Sequence, residues 1–372
     1  MKITFDAGAL KSAVKLLDKT NKSKTNPYVR IRSTKEGVIL GTSDMVCTTE
    51  VFLGGDVEGG SADFQVDRDI FTGLVKMAKG SEISLEKKEK NLVFKSGKYT
   101  AKITFTLETV KYFEIKPEGV KITLPLEDVL KGLNKVAYSA SFDATNAQLG
   151  GIVWSFDEKG IKFVGADGFR MAYASIDNPA KEEKFMFMAP IFSVETFKAL
   201  AKDIDDEELI LYYNGKSVIL ETDSFTMAMR LSNTEIYDFR SILGMFGDEC
   251  KSLTSRKELI DVFNFVNVIS KNSLEGEKPA RLSIDSNGFA VNVSGETGVS
   301  DNKVDSEVKG SFKPDNVGFY PSNILDVLKR AEGEEVVIEF LDSSTPMIIY
   351  EPTEGVIEWK AYIMPVQMRG GK

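Results

Sequence analysis

The sequence predicts an α+β fold made by triplication, with two helices packed on antiparallel sheet in each third. Three observations carry this prediction. Amphipathic segments follow strand-like runs at similar places in each third, sets of short alternating strands close each third, and no long linker or low-complexity tract interrupts the pattern.

One helical segment opens each third: KITFDAGALKSAVKLL from Lys2, KITLPLEDVLKGLNKV from Lys121 and KSLTSRKELIDVFNFV from Lys251. A second follows mid-third: DRDIFTGLVKMAKG from Asp67, SVETFKALAKDI from Ser193 and YPSNILDVLKRAEG from Tyr320. Leu74, Leu200 and Leu328 hold similar places in these second helices. After them come the strand sets that begin at Ser81, Glu207 and Glu334. The repeat divides the chain into domains at 1–119, 120–248 and 249–372, each holding two strand-helix-strands units. Helices on antiparallel sheet form a layered architecture in which sheet covers one helix face and leaves the other free.

Bulk properties narrow the function. The chain of 372 residues contains no histidine, which removes the usual general base near neutral pH and the commonest nitrogen ligand for transition metals. Cys47 and Cys250 are the only cysteines, too few and too far apart for a disulfide framework or a zinc knuckle. No metal or cofactor is expected. Asp6 and Lys11 interrupt what would be a signal's apolar core, and no stretch approaches the roughly 20 apolar residues of a membrane span, so a cytoplasmic location is expected.

Fragments that look catalytic lack their partners. Ser12 to Lys15 fits Ser-x-x-Lys and Ser300 to Asn302 reads Ser-Asp-Asn, but no Lys-Thr-Gly completes the set. Tyr213 to Ser217 ends like a phosphate loop yet has Ile210 where the leading glycine belongs, and Asn214-Gly215 reads as a hairpin turn. The run Asp203, Asp205, Asp206, Glu207, Glu208 has neither the glycine nor the terminal carboxylate of a calcium loop. No enzymatic activity is expected, with a serine acyl-enzyme on Ser12 and Lys15 the competing hypothesis from that class.

The net charge of −9 opposes nonspecific attraction to nucleic acid unless positive charge is segregated. The first helix of the first third carries Lys11 and Lys15 one turn apart with Lys19 beyond. Such a stripe complements the helix dipole, and it equally could face phosphates. The stretch FVGADGFRMAYASI from Phe163 places Asp167-Gly168 between two apolar runs, which predicts a turn with an apolar edge at Phe169 to Met171.

GADGFRMA from Gly165, EIYDFRSIL from Glu235, AYIMPVQM from Ala361 and LGTSDMVCTTEV from Leu40, in this order and within a threefold repeat, resemble the beta sliding clamp family of bacterial DNA polymerase III. The likeness spans essentially the whole chain. It implies three similar DNA-clamp domains forming half of a six-domain ring, closed head to tail by a homodimer, with helices inside around double-stranded DNA. The role implied is that of a processivity factor. A clamp-fold scaffold that binds peptides without encircling DNA is the alternative.

The resemblance further implies three sets of residues. For the bore, which needs only mobile attraction to phosphates, the candidates are chosen by helix or loop position: Lys11, Lys15, Lys22, Lys24, Lys76, Lys79, Lys131, Lys135, Lys198 and Lys202, of which only some are expected to face inward. The family binds its replicative polymerase, clamp loader and repair partners through short linear peptides. The corresponding cleft here would comprise Leu149, Ala166, Gly168, Phe169, Arg170, Met171, Tyr237, Ser241, Ile242, Ser344, Pro346, Tyr362, Ile363, Met364, Pro365 and Val366. For the subunit contact it suggests Lys98, Ala101 and Ile103 on an edge strand, against Val268 and Ile269 on a helix. The chain departs from the family pattern at Phe169, where histidine is usual, and at Ile236 to Arg240, where Phe-Pro-Asp-Tyr-Arg is common; the groove is therefore expected to be more apolar.

Overall fold

The structure is a computed structural model that describes residues 1–372 except 21–25, 90, 108–111, 144, 246–249, 275, 287, 315, 353–356 and 369–372. Among the described residues six longer helices each follow a strand: α1 (Ala7–Leu17), α2 (Arg68–Met77), α3 (Leu126–Val136), α4 (Ile191–Ala201), α6 (Arg256–Lys271) and α7 (Pro321–Leu328). A short α5 (Arg240–Leu243) lies outside this pattern.

The junctions repeat in detail. Asp6, Asp67 and Ser255 keep extended backbone and cap α1, α2 and α6, accepting from the amides of Ala9, Ile70 and Glu258. Such a cap satisfies an orphan helix donor, worth about 1 kcal/mol. Proline takes over elsewhere: Pro125 and Pro190 end the strands before α3 and α4, and Pro321 begins α7. It cannot donate and presets the required φ.

The first amide of every longer helix but α7 bonds outward in the same way. Ala7 donates to Ser81 O, Arg68 to Pro27 O, Leu126 to Glu207 O, Ile191 to Gly150 O and Arg256 to Glu334 O, at 2.8 to 3.0 Å. Each acceptor directly precedes the strand that follows the other helix of the same third, so the two units exchange bonds in the first and middle thirds, and the last third keeps one of the pair. Pro321 has no amide to give; Ser322 N instead donates to Glu277 at 3.1 Å.

The chain forms two compact units, 1–127 with 192–233 and 128–191 with 234–372. The first holds a nine-stranded antiparallel sheet ordered Phe105–Thr106, Asp63–Asp67, Tyr28–Ser33, Val38–Ser43, Cys47–Leu53, Thr226–Arg230, Ser217–Glu221, Glu208–Tyr213, Val120–Pro125. The join between strands of the first and middle thirds is Cys47–Leu53 against Thr226–Arg230, with Thr48 opposite Ala228. A five-stranded sheet ends on Tyr99–Ile103, which pairs only with Leu92–Ser96 among the described residues. Leu10, Val14 and Leu17 of α1 and Phe71 and Val75 of α2 supply core residues of this unit.

The second unit repeats the plan. Its nine strands run Phe185–Pro190, Gly151–Asp157, Gly160–Ala166, Arg170–Ile176, Glu358–Ile363, Met347–Tyr350, Glu335–Phe340, Cys250–Ser255, Ser306–Lys309. Middle and last thirds join where Met171 faces Tyr362 and Ala172 faces Ala361. A three-stranded sheet ends on Gly298–Val304, also paired on one side only among the described residues. Among the described residues, no helix is long and apolar enough to cross a membrane.

Candidate functional site

The turn expected at Asp167-Gly168 is present and explains why glycine stands there. Gly168 has φ +91°, a conformation that side chains resist. The Asp167 carboxylate accepts the amides of Phe169 and Arg170 at 2.9 and 3.0 Å, and Asp167 N closes the loop on Arg170 O. With the turn fixed by its own backbone, Phe169 is free to project: it is 54% exposed and meets Tyr320 edge-on at 6.4 Å.

Met364 lies beside it, exposed, with its amide on Phe169 O at 2.8 Å. Pro365 and Val366 continue this rim half-buried, and Val366 pairs with Gly318. Leu149 comes up to the turn from another loop; a Cβ at Gly168 would sit 3.9 Å from its Cδ1. The segment 235–243 adds Tyr237 and Ile242, half-buried, and Ser241, exposed.

Beneath the rim, Ala166, Met171 and Tyr362 are buried in one cluster with Val153, Val164 and Phe239. Pro346 and Ile363 are buried as well. These expected contact residues therefore form the floor rather than the open surface, because the join at Met171 and Tyr362 places both inside the sheet's packed face. Among the described residues the hydroxyls of Tyr237 and Tyr362 are buried without a partner, and burial raises both phenols above their ordinary pKa. Ser344 is exposed in a turn held by Asp342, whose carboxylate accepts the amide and hydroxyl of Ser344 and the amide of Thr345 and is lowered by them.

Arg170 is spent on the fold. Its guanidinium donates to Asp326 at 2.7 Å, to Asp167 at 3.1 Å and to Tyr138 O at 3.1 Å, and it stacks over the Tyr138 ring. Burial opposes its charge, but the two carboxylates and the ring outweigh it and raise its pKa. Tyr138, Tyr320 and Asp326 escaped the sequence reading because each acts through a partner distant in sequence, and only Pro321 beside Tyr320 gave a local signal.

The candidate lysines separate into groups. On α1 the exposed face is Gly8, Ala9, Lys11, Ser12 and Lys15, small and basic. Lys11 Nζ donates to Ala78 O, Lys15 and Lys19 share Asp203 at 2.8 and 2.7 Å, and Lys76 pairs with Asp18. Lys79, Lys131 and Lys202 are exposed, whereas Lys198 is half-buried on Glu195. Lys22 and Lys24 lie outside the described residues. Lys135 corrects the expectation: its side chain is 7% exposed, its Nζ donates to Arg330 O at 2.7 Å and lies 5.1 Å over the Trp359 ring. It faces the protein, because Trp359 and the chain end of α7 pack against that side of α3.

Of the proposed contact residues, Lys98 is exposed, Ala101 is half-buried and Ile103 is buried opposite Leu92. On α6, Val268 is well exposed and Ile269 half-buried against Gly298. Ser12 and Lys15 share an open helix face, with Lys15 held by Asp203, so no desolvated amine stands ready to activate the serine.

Residues 123–238 match the family model described as the DNA polymerase III beta subunit, central domain. The chain is similar to the beta sliding clamp of Bacillus subtilis, 23% identical over 394 residues covering 99% of this chain and all of the relative. The crystal structure of the DNA polymerase III beta subunit from Thermotoga maritima superposes with a TM-score of 0.86 at 24% identity, over 99% of this chain and 100% of that one. That from Streptococcus pyogenes gives a TM-score of 0.90 at 18% identity over the same shares. The fold is that of these beta subunits, and residues 123–238 carry the central-domain match. Within this chain the family match takes in the turn at Asp167-Gly168 and ends at Asp238, inside the segment that carries Tyr237. The groove rim and the join at Met171 and Tyr362 thus draw on both the central-domain match and the chain end.

Proposed function

We propose that this chain is a DNA sliding clamp: a processivity factor, without catalytic activity, that encircles duplex DNA and tethers polymerase and other partners through short peptides. The observation that carries the reading is the sixfold strand-to-helix junction, with first-amide bonds exchanged within the first and middle thirds and one such bond, from Arg256, in the last. Such repetition supports three similar domains per chain and six in a closed dimer.

Sheet edges support the closure. Strands of adjacent thirds join edge to edge within the chain at Thr48 opposite Ala228 and at Met171 opposite Tyr362. Among the described residues Tyr99–Ile103 and Gly298–Val304, from the first and last thirds, are two of the strands paired on one side only. Pairing them between two copies would cover both edges and close the assembly head to tail. Exposed Val268 on α6 and Val299 on the edge strand give this contact apolar area.

A closed ring retains DNA by topology, so the helices need only screened attraction to phosphates. The small, basic face of α1 supplies that without base readout. The rim of Phe169, Met364, Pro365, Tyr237 and Ile242 supplies the peptide site: apolar side chains give a peptide affinity, and exposed main-chain groups give it direction. A clamp of this kind acts where the DNA is, in the cytoplasm of a bacterium.

The deciding experiment loads the protein onto nicked circular DNA with a clamp loader and then linearises the circle. Retention on the circle and loss from the linear form is the expected result. Equal retention on both, or none on either in the presence of a competent loader, would leave a peptide-binding scaffold.

A further inference from the structure

A cavity of about 440 Å³ opens in the first unit between residues 113–118 and the strands Ser217–Glu221 and Thr226–Arg230. The accessible apolar side chains of its lining are Phe113 and Leu231, half-buried; Ile219 and Ala228 face each other in the ladder beneath and are buried. Its walls carry Lys116, Lys216 and Arg230, all exposed. None of these three forms a salt bridge with another described residue. Three cations without a carboxylate partner among the described residues thus surround one cavity in a chain of net charge −9.

The acceptors there are mostly engaged. Glu114 is bound to Arg30 at 2.6 Å. The side-chain oxygen of Asn214 already accepts Lys216 N, Ser217 N and the Ser217 hydroxyl. Glu118 is the one other carboxylate of the lining. The Arg230 guanidinium lies 4.7 Å over the Phe113 ring, a stacking that orients its fork before any ligand arrives. The lining therefore offers donors in excess beside apolar side chains.

We infer that this cavity binds a small organic anion, with its carboxylate or phosphate on Arg230 and Lys216 and an apolar or aromatic body against Phe113 and Leu231. The volume lies within the range of small-molecule sites. Arg230 supplies paired, directed donors, and the lysines supply charge. The site is separate from the peptide rim, which lies in the other unit.

Calorimetric titration of the full chain with adenosine 5′-monophosphate and, separately, with 2-naphthoate tests the assignment, and the pair distinguishes phosphate from carboxylate preference. At least one anion should bind with one site per chain. Adenosine without phosphate, naphthalene-methanol without carboxylate and inorganic phosphate alone should each bind roughly tenfold more weakly than the parent. Arg230→Ala should weaken the bound anion by about tenfold and Lys216→Ala by less, with unchanged melting curves. The inference fails if neither anion binds at millimolar concentration, if a truncated probe binds as tightly as its parent, or if both folded variants bind like the unaltered protein.

Discussion

The amide of Met364 donates to the carbonyl of Phe169 at 2.8 Å, locking the end of one strand to a turn almost 200 residues earlier. Both side chains stay exposed, so the rim is fixed in backbone and open in side chain. Met364→Ala should lower the affinity for a labelled peptide from the replicative polymerase by about tenfold, since it removes a flexible apolar contact and leaves the main-chain bond intact. Adding Pro365→Ala should lower it further. A polarisation titration reads the change, and equal affinity would remove these residues from the site.

Much of the fold is legible because its signals are local. The alternation in each strand, the Asp or Ser or Pro before each helix, and the Gly168 turn are all written within a few residues. The joins between thirds are not legible. Nothing in CTTEVFL or TMAMR specifies that they pair, because a buried edge and a buried central strand share a composition. Lys135 misled for the same reason: helix position shows a lysine, while Trp359 and Glu351, which hold it, lie more than 200 residues away.

Arg170 carries a structural load that its place in the groove motif conceals. Its side chain is 13% exposed and serves two carboxylates and a main-chain carbonyl. Arg170→Met leaves Asp326 half-exposed but strips the Tyr138 carbonyl of its donor, and should cost about 2 to 4 kcal/mol. Urea unfolding followed by fluorescence measures it; a loss below about 0.5 kcal/mol, the size of an ordinary surface substitution, would contradict the clasp.

The one-sided strands give a direct test of closure. Val299 and Val268 are both largely exposed. If a second copy covers them, Val299→Asp or Val268→Asp buries an unpaired charge at the contact and should shift sizing from dimer to monomer at micromolar concentration. Circular dichroism should stay unchanged, since neither side chain is part of the core. A dimer of unaltered stability would place the contact elsewhere.

Lys135→Met and Lys15→Gln should part company. Lys135 is shielded by Arg330, Glu351 and Trp359, so its replacement should lower stability and leave the salt dependence of DNA association untouched. Lys15 is 70% exposed, and its loss should flatten that dependence by up to about one unit of slope per subunit. Equal effects of the two on DNA would restore Lys135 to the bore.

Asp203 sets how much of the α1 charge is available. Hydrogen bonds from Lys15 and then Lys19 hold its carboxyl down to about 2. A carboxyl depressed on folding stabilises the fold above its ordinary value of 3.8, and that contribution is lost as pH falls from about 4 through about 2. Near neutral pH the aspartate is therefore fully charged, and it offsets one of the two lysines. Asp203→Asn should free that charge for phosphates, steepening the slope of log K against log salt for a closed ring on circular DNA by roughly one unit per subunit. The ring should also diffuse more slowly along the duplex, because stronger phosphate attraction raises the barrier between successive positions. Single-molecule tracking at low and moderate salt measures both effects. Diffusion and salt dependence identical to those of the unaltered protein would show that Lys15 and Lys19 never reach the DNA.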